Sequence, residues 1–275
     1  MIDKDGIERP DDLHAHNRKL VKGKRKLKFD ENYHFYPRLP FRLWAGFFRT
    51  FAVCVFNPVA YLKYHIKITG HENKKKLRGQ GYVITCSHVH VLDDVCCCSN
   101  VFPERMIYYT TLENNIRRRF TGFFLRSLCG MPIPASSLSG MKKFNEDVSY
   151  ILKKKKKPVM FNPEGSLWPY YREIRPFKKG AFSTAVKNDV PVLPILVTFR
   201  RKKKRNGKFK YYLNYTIGEP LYANKTLENE KAEINELLSR TQEWYVKTNK
   251  EWYENNDCGF DDEKEEKKVE EKEEA

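Results

Sequence analysis

From residue 64 onward, short runs rich in β-branched and aromatic residues alternate with longer amphipathic runs, and this alternation constrains the fold more than any other feature. "HIKITG", "YVITC", "MIYYT", "MPIP", "PVMF", "VPVLPILVTF" and "YYLNYTIG" read as strands. Between them, "LENNIRRRFTGFFLRSLCG" and "SLSGMKKFNEDVSYILKKKKK" read as helices, the first closed by Gly130 and the second ending in a lysine-rich turn. "PFKKGAFSTAVKND" predicts a further helix, and "TLENEKAEINELLSRTQEWYVKTNKEWYE" a long amphipathic one. A chain that alternates in this way folds as an α/β domain, with a mixed, largely parallel sheet flanked by helices.

The ends have a different character. Residues 1–38 form a basic N-terminal extension, in which "NRKLVKGKRKLKF" holds seven basic residues and no acidic one. It reads either as a solvated arm or as a polybasic membrane contact. Residues 39–63 are the most apolar stretch, interrupted by Arg42 and Arg49, with a longest charge-free run of 13 residues, Thr50 to Leu62, that contains Pro58. A single span needs about 20 apolar residues, so the expectation is an amphipathic helical hairpin in the membrane interface, its rival being a core helix of a soluble domain. The main domain then covers residues 64–253. Residues 254–275 hold eleven acidic and four basic side chains and read as a disordered tail. The net charge of +17 therefore rises to +24 over residues 1–253. Such a field attracts polyanions: an anionic membrane, phosphorylated substrates or nucleic acid. No recognised nucleic-acid-binding motif is present, so nucleic acid is not expected as a partner. The seven cysteines lack metal-type CxxC pairs, which points to reduced thiols in a cytosolic protein, and the polar first forty residues predict no signal peptide.

Two stretches carry chemistry. In "CSHVHVLDDV" (86–95) an apolar strand runs into a loop with two histidines and two aspartates. Asp93, one turn into the following helix, can reach back to one imidazole nitrogen of His88, fixing its tautomer and making the other nitrogen a base near neutral pH. The same letters superficially resemble a zinc motif, but Leu92 and Asp93 stand where that motif needs an aspartate and a histidine, and further ligands are scarce; no metal is expected. His90 reads as a polar residue at the loop mouth and Asp94 as a first-turn carboxylate facing the helix dipole. In "PVMFNPEGSLWP" a buried strand ends in the turn Pro163-Glu164-Gly165-Ser166, where glycine lets backbone approach a ligand and Glu164 can accept hydrogen bonds from hydroxyls. Alone, this is also what an ordinary strand-ending turn looks like.

Taken in order, "SHVHVLD" (87–93), "GMPIPAS" (130–136), "NPEGSLW" (162–168) and "VPVLPI" (190–195), with "RPFKKGAF" and "IGEP", resemble the motif set of the glycerolipid acyltransferase family that includes 1-acylglycerol-3-phosphate acyltransferases. The similarity covers roughly residues 64–222. It implies a glycerol-3-phosphate acyltransferase-like fold and direct acyl transfer without a covalent acyl-enzyme. In that reading His88, held by Asp93, is the general base. The acceptor would be a lysophospholipid, foremost 1-acylglycerol-3-phosphate. The donor would be acyl-CoA or an acyl carrier protein, acting as substrate, and no cofactor is implied. Glu164, Gly165 and Ser166 would help bind the glycerol-phosphate part. Ser87 stands where the family has asparagine, and Ser136 and Leu167 replace family arginines; Arg172, Arg175, Lys178 and Lys179 follow the third block and could take over an acceptor phosphate. The implied location is the cytoplasmic face of a membrane, held peripherally or monotopically. An acyltransferase with a different lysolipid acceptor, or a non-catalytic membrane-binding protein of the same fold, are the rival readings.

Overall fold

The computed structural model describes residues 2, 7–13, 15, 23–90, 93 and 97–260. Asp94, Cys96, Leu92 and most of the acidic tail, residues 261–275, lie outside the described residues, as do residues 16–22 of the basic extension.

Each of the seven strands expected from the sequence is present: β1 (Lys67–Thr69), β2 (Val83–Cys86), β3 (Tyr108–Leu112), β4 (Gly130–Ile133), β5 (Val159–Phe161), β6 (Val192–Lys203) and β7 (Phe209–Ile217). They form one sheet in the order β1-β7-β6-β2-β5-β3-β4. β6, β2, β5, β3 and β4 run parallel. β7 is antiparallel to β6, and β1 is parallel to β7, so both run against the rest. β2 lies at the centre, and all four of its residues are buried. A parallel strand covered on both faces has no reason to alternate apolar with polar residues, which is why "YVITC" reads as a continuous run.

Alternate residues of β2 feed two cores. Val83 joins Val159, Phe161 and Tyr108 in one, with Phe144, Phe182, Leu237 and Tyr245 from the helices. Ile84 and Cys86 join Met160, Tyr109, Leu193 and Ile195 in the other, with Ala52, Cys97 and Val101. The helices are α1 (Leu39–Tyr64), α2 (His71–Lys75), α3 (Glu113–Arg117), α4 (Arg119–Ser127), α5 (Leu138–Ser149), α6 (Gly180–Asn188) and α7 (Glu230–Asn255), and α5 continues as a π-helical turn, Tyr150–Lys154. The single helix expected over 112–130 is broken at Arg118, whose backbone is extended. The break lets α4 fold back so tightly that a Cβ on Gly122 would lie 2.1 Å from the Ile116 carbonyl.

Two expectations for the amino-terminal third are corrected. Residues 39–63 do not form a hairpin: α1 is one continuous helix of 26 residues, about 39 Å long, with Pro58 inside it. Anchors along its length hold it against the domain and leave no place to reverse. Trp44 Nε1 donates to Ser127 Oγ (3.0 Å), Arg49 donates to the carbonyls of Phe102, Pro103 and Arg105 (2.8–2.9 Å), and Asn57 Nδ2 donates to Ser99 O (2.6 Å). Nor is the described part of the extension a solvated arm. Phe29 and Phe35 are core residues, and rings step edge-to-face from Phe29 through Tyr33 and Phe35 to Phe144. The basic run drew the eye away from the aromatic residues that follow it, whose burial outweighs the charge beside them.

α7 closes one face through Tyr245, which is fully buried. Its hydroxyl accepts from the Ile195 amide (3.0 Å) and donates to the Thr85 carbonyl (2.7 Å), joining the carboxyl end of β2 to Ile195 in the first half of β6. Tyr245→Phe leaves both backbone groups without this partner, and urea denaturation should show a loss of about 1–3 kcal/mol.

Candidate active site

In open sheets of this kind, ligands bind beyond the carboxyl ends of parallel strands. β2 and β5 are neighbours, with Thr85 opposite Phe161. The loops that leave them carry His88 and Glu164, so strand pairing brings together two motifs that are far apart in sequence. On the other side of β2, the Ser87 amide donates to Ile195 O (3.2 Å) and the Ser87 hydroxyl accepts from the Val197 amide (2.8 Å). Ser87 is wholly buried and continues the ladder between β2 and β6, immediately before the histidine.

Asp93 holds the loop closed. Its Oδ2 accepts from the amides of Val89 (2.8 Å) and His90 (2.5 Å) and lies 3.7 Å from His88 Nδ1. The Asp93 amide returns a bond to His90 O (3.0 Å). The Tyr215 hydroxyl, from β7, reaches Asp93 Oδ1 at 3.4 Å. Asp93 is fully buried, while the His88 side chain keeps 15% of its surface exposed. Nδ1 thus faces a fixed carboxylate, and the tautomer this favours leaves Nε2 as a proton acceptor on the other side of the ring. The two groups predicted as base and partner are brought together.

His90 has a different place. It is 2% exposed, edge-to-face against Tyr64 at the end of α1 (4.7 Å) and tilted against Tyr170 (5.7 Å). Burial lowers its pKa, helped by Lys63 and His88 and opposed by Asp93. Rather than standing at the loop mouth, it packs the end of α1 onto the His88–Asp93 loop.

The second loop is built around a buried ion pair. Glu164 and Arg175 are both about 1% exposed, and an Arg175 Nη2 donates to Glu164 Oε2 and to the Ser166 carbonyl. Nη1 donates to Ser166 Oγ (2.8 Å) and to Leu13 O (3.1 Å), and the guanidinium lies over the Trp168 ring, 4.8 Å from its centroid. Burial raises the Glu164 pKa, while Arg175 and His88 pull it back. Gly165 takes a positive φ of 78°, and a Cβ there would meet Lys178 Cε at 2.7 Å. Lys178 is therefore laid across the turn, with its amide on Pro163 O (2.8 Å). The loop also touches its neighbour: Trp168 N donates to His88 O (3.3 Å) and Tyr170 N to Val89 O (2.7 Å).

Of the predicted substrate residues, Glu164, Gly165, Ser166 and Lys178 gather at the turn after β5, on the loop that bonds to His88 O through the Trp168 amide, and Lys179 is exposed at the start of α6. Arg175 is present but turned inward, with its donors on Glu164, Ser166 and Leu13. Arg172 lies over the Phe260 ring (4.2 Å), toward the end of the described chain and apart from this turn. Ser136 donates to the Glu113 carboxylate (3.1 Å) on the loop after β4. Three features were not found from sequence: Tyr215, Trp168 and the amino-terminal segment. That segment crosses the second loop, with Ala15 O accepting from Ser166 Oγ (3.0 Å) and Trp168 Nε1 (2.8 Å), and Arg9 donating to Pro169 O (2.9 Å). These pairings join residues about 150 positions apart and leave no local signal.

Two outcomes follow from this geometry. Arg175→Met strands a buried carboxylate, so its unfolding free energy should fall by about 3–5 kcal/mol in a denaturant titration. For His90, the folded-state pKa lies below the unfolded value of about 6.5. As pH falls through that value the unfolded chain takes a proton that folded His90 refuses, and stability is lost. Thermal melts between pH 7.5 and 5.5 should show a shallower acid slope in His90→Gln than in the parent.

The sequence model of the family described as Acyltransferase matches residues 65–198, which include both loops, β2, β5 and most of β6. Among solved structures, the chain resembles the crystal structure of the 1-acyl-sn-glycerophosphate (LPA) acyltransferase PlsC from Thermotoga maritima. That likeness has a TM-score of 0.49 at 18% identity and covers 76% of this chain and 83% of that one. No curated protein sequence matches. Residues 65–198, the segment that builds the His88–Asp93 loop and the Glu164 turn, match the model of the acyltransferase family.

Proposed function

We propose that this acyltransferase moves a fatty acyl group from acyl-CoA or an acyl carrier protein to the free hydroxyl of a lysophospholipid, with 1-acylglycerol-3-phosphate as the leading acceptor. The observation that carries the reading is the pairing of His88 with Asp93 on one loop and the Glu164–Gly165–Ser166 turn on the adjacent one, in the motif order of glycerolipid acyltransferases.

In this mechanism His88 Nε2 takes the proton from the acceptor hydroxyl as its oxygen attacks the thioester carbonyl. Asp93, anchored by two amides and Tyr215, stabilises the imidazolium that forms. When the tetrahedral intermediate collapses, the C–S bond breaks and the imidazolium returns the proton to the leaving thiolate. The Glu164–Arg175 pair supports the turn from beneath. Lys178 and Lys179, exposed at its rim, are better placed than Arg175 or Arg172 to meet the acceptor phosphate. With Ser136 and Leu167 in place of family arginines, a lysolipid with a larger head group is the second acceptor to consider.

The site also needs access to lipid. α1 is long and apolar enough, by length and composition, to cross a membrane. It nonetheless packs along the domain and presents Leu43, Phe47, Phe51 and Leu62 outward, beside the exposed Phe120 and Phe123 of α4. The reading that fits both facts is a helix lying in the interface of an anionic, cytoplasm-facing leaflet, with its final residue, Tyr64, at the catalytic loop.

The test is to incubate purified protein with labelled acyl-CoA and a panel of lysophospholipids and identify the product by mass spectrometry. His88→Ala and Asp93→Ala should each lower turnover by about 100-fold or more while the melting curve still shows a cooperative fold. Full turnover by His88→Ala would overturn the mechanism, and a product only with another lysolipid would reassign the acceptor.

A further inference from the structure

A second site lies at the other end of the sheet. Tyr82 stands at the entry to β2, Arg105 precedes β3 and Lys156 precedes β5, so the cavity they approach opens at the amino ends of the strands, away from His88. It measures about 470 Å³ and is lined by His71, Lys74, Lys75, Arg78, Tyr82 and Arg105, with Glu104 as its acidic member. That size suits a small molecule or a head group.

Its cations fall into two sets. The floor is built rigidly. Arg105 donates to the carbonyls of Leu77 (3.3 Å), Gln80 (2.7 Å) and Lys156 (2.6 Å), with its guanidinium 5.2 Å from the centroid of the buried Tyr82 ring. Lys74 Nζ donates to Val101 O (2.5 Å) and Glu104 (3.3 Å). On the rim, His71, Lys75 and Arg78 are exposed, and their side chains have no hydrogen-bond or ion-pair partner among the described residues. The bond from Arg105 to Lys156 O also brings the lysine-rich end of α5, residues 153–157, to the edge of the cavity. From the sequence, that run reads either as a helix terminus or as a contact for acidic lipid or a phosphorylated carrier; in the fold the carbonyl of Lys156 is bonded to the cavity's Arg105.

We propose that this cavity binds a ligand bearing clustered phosphates. Fixed guanidinium and ammonium groups at the floor supply positive potential without reorganisation, and the unpaired rim cations have donors to spend on phosphate oxygens. The ligand is recognised by its phosphates, which a soluble bisphosphate and a phosphorylated lipid head group share. α1 passes close by, since Arg49 on that helix holds the carbonyls of Phe102, Pro103 and Arg105, so a head group at a lipid surface is within the geometry.

Titration calorimetry of the full chain with inorganic pyrophosphate is the direct test. The parent should bind saturably, and Lys75→Glu/Arg78→Glu should weaken binding about tenfold or more, because it removes two charge-assisted contacts. A charge-matched control, Lys202→Glu/Lys204→Glu on the β6–β7 hairpin, should bind as the parent does. Both variants alter exposed side chains, and their melting curves verify the fold. Vesicles of phosphatidylcholine with phosphatidylinositol bisphosphate distinguish the source: displacement of pyrophosphate assigns a lipid head group, and its absence assigns a soluble ligand. Absence of saturable pyrophosphate binding, or an equal loss in the control, overturns the site.

Discussion

The buried ion pair between Glu164 and Arg175 underlies the architecture of the active end. Taking a carboxylate and a guanidinium out of water is costly, and the cost is offset only when the remaining donors and acceptors are satisfied. Here Arg175 also holds Ser166 through both its hydroxyl and its carbonyl, and it takes the Leu13 carbonyl from the amino-terminal segment. One cation thus ties together the turn after β5, the segment before α6 and a piece of chain from the far amino terminus. The turn in turn bonds to the backbone of His88 and Val89. The His88 loop is positioned by a structure whose central charge pair is buried.

The same packing divides labour between residues that look interchangeable in the sequence. Arg172, Arg175, Lys178 and Lys179 are four cations within eight positions, yet each has a different environment. Arg175 is consumed by the ion pair, Arg172 lies over Phe260, and the two lysines remain at the rim. The two histidines of the first loop separate likewise. His88 faces Asp93 and keeps an exposed edge, whereas His90 is clamped between Tyr64 and Tyr170 and couples α1 to the loop. His88, Asp93, the Glu164 turn and the end of α1 are therefore brought to one region by packing rather than by proximity in the chain.

Both ends of the sheet carry positive charge, and they differ in how it is held. At the carboxyl end Arg175 is neutralised and buried; at the amino end Arg105 and Lys74 are fixed by carbonyls, and His71, Lys75 and Arg78 above them have no side-chain partner among the described residues. The positive charge of the domain is thus held in two different ways at the two ends of the sheet.

Much of this was legible in the sequence, for definite reasons. Buried parallel strands such as β2 and β5 leave continuous apolar runs, the more exposed β1 and β7 leave short runs rich in β-branched and aromatic residues, and helices announce themselves by period and termini. His88 and the Glu164 turn were legible because each follows a buried strand, and Asp93 because it lies five residues after His88. The helical hairpin was misjudged because Pro58 and the interior arginines looked like interruptions, when Arg49 is in fact an anchor to three carbonyls. Tyr215, Trp168 and the Leu13–Ala15 carbonyls were invisible because their partners lie on other strands or about 150 residues away. What the amino-acid sequence determined by itself was the layered α/β class, through local periodicity, and the nearness of His88 to Asp93, through their short spacing and the ordered motif set around them. Which cations stay exposed, which are spent on structure, and how residues 9–15 bond across the second loop were decided only in the tertiary structure, because desolvation and long-range hydrogen bonding depend on neighbours that no local pattern encodes.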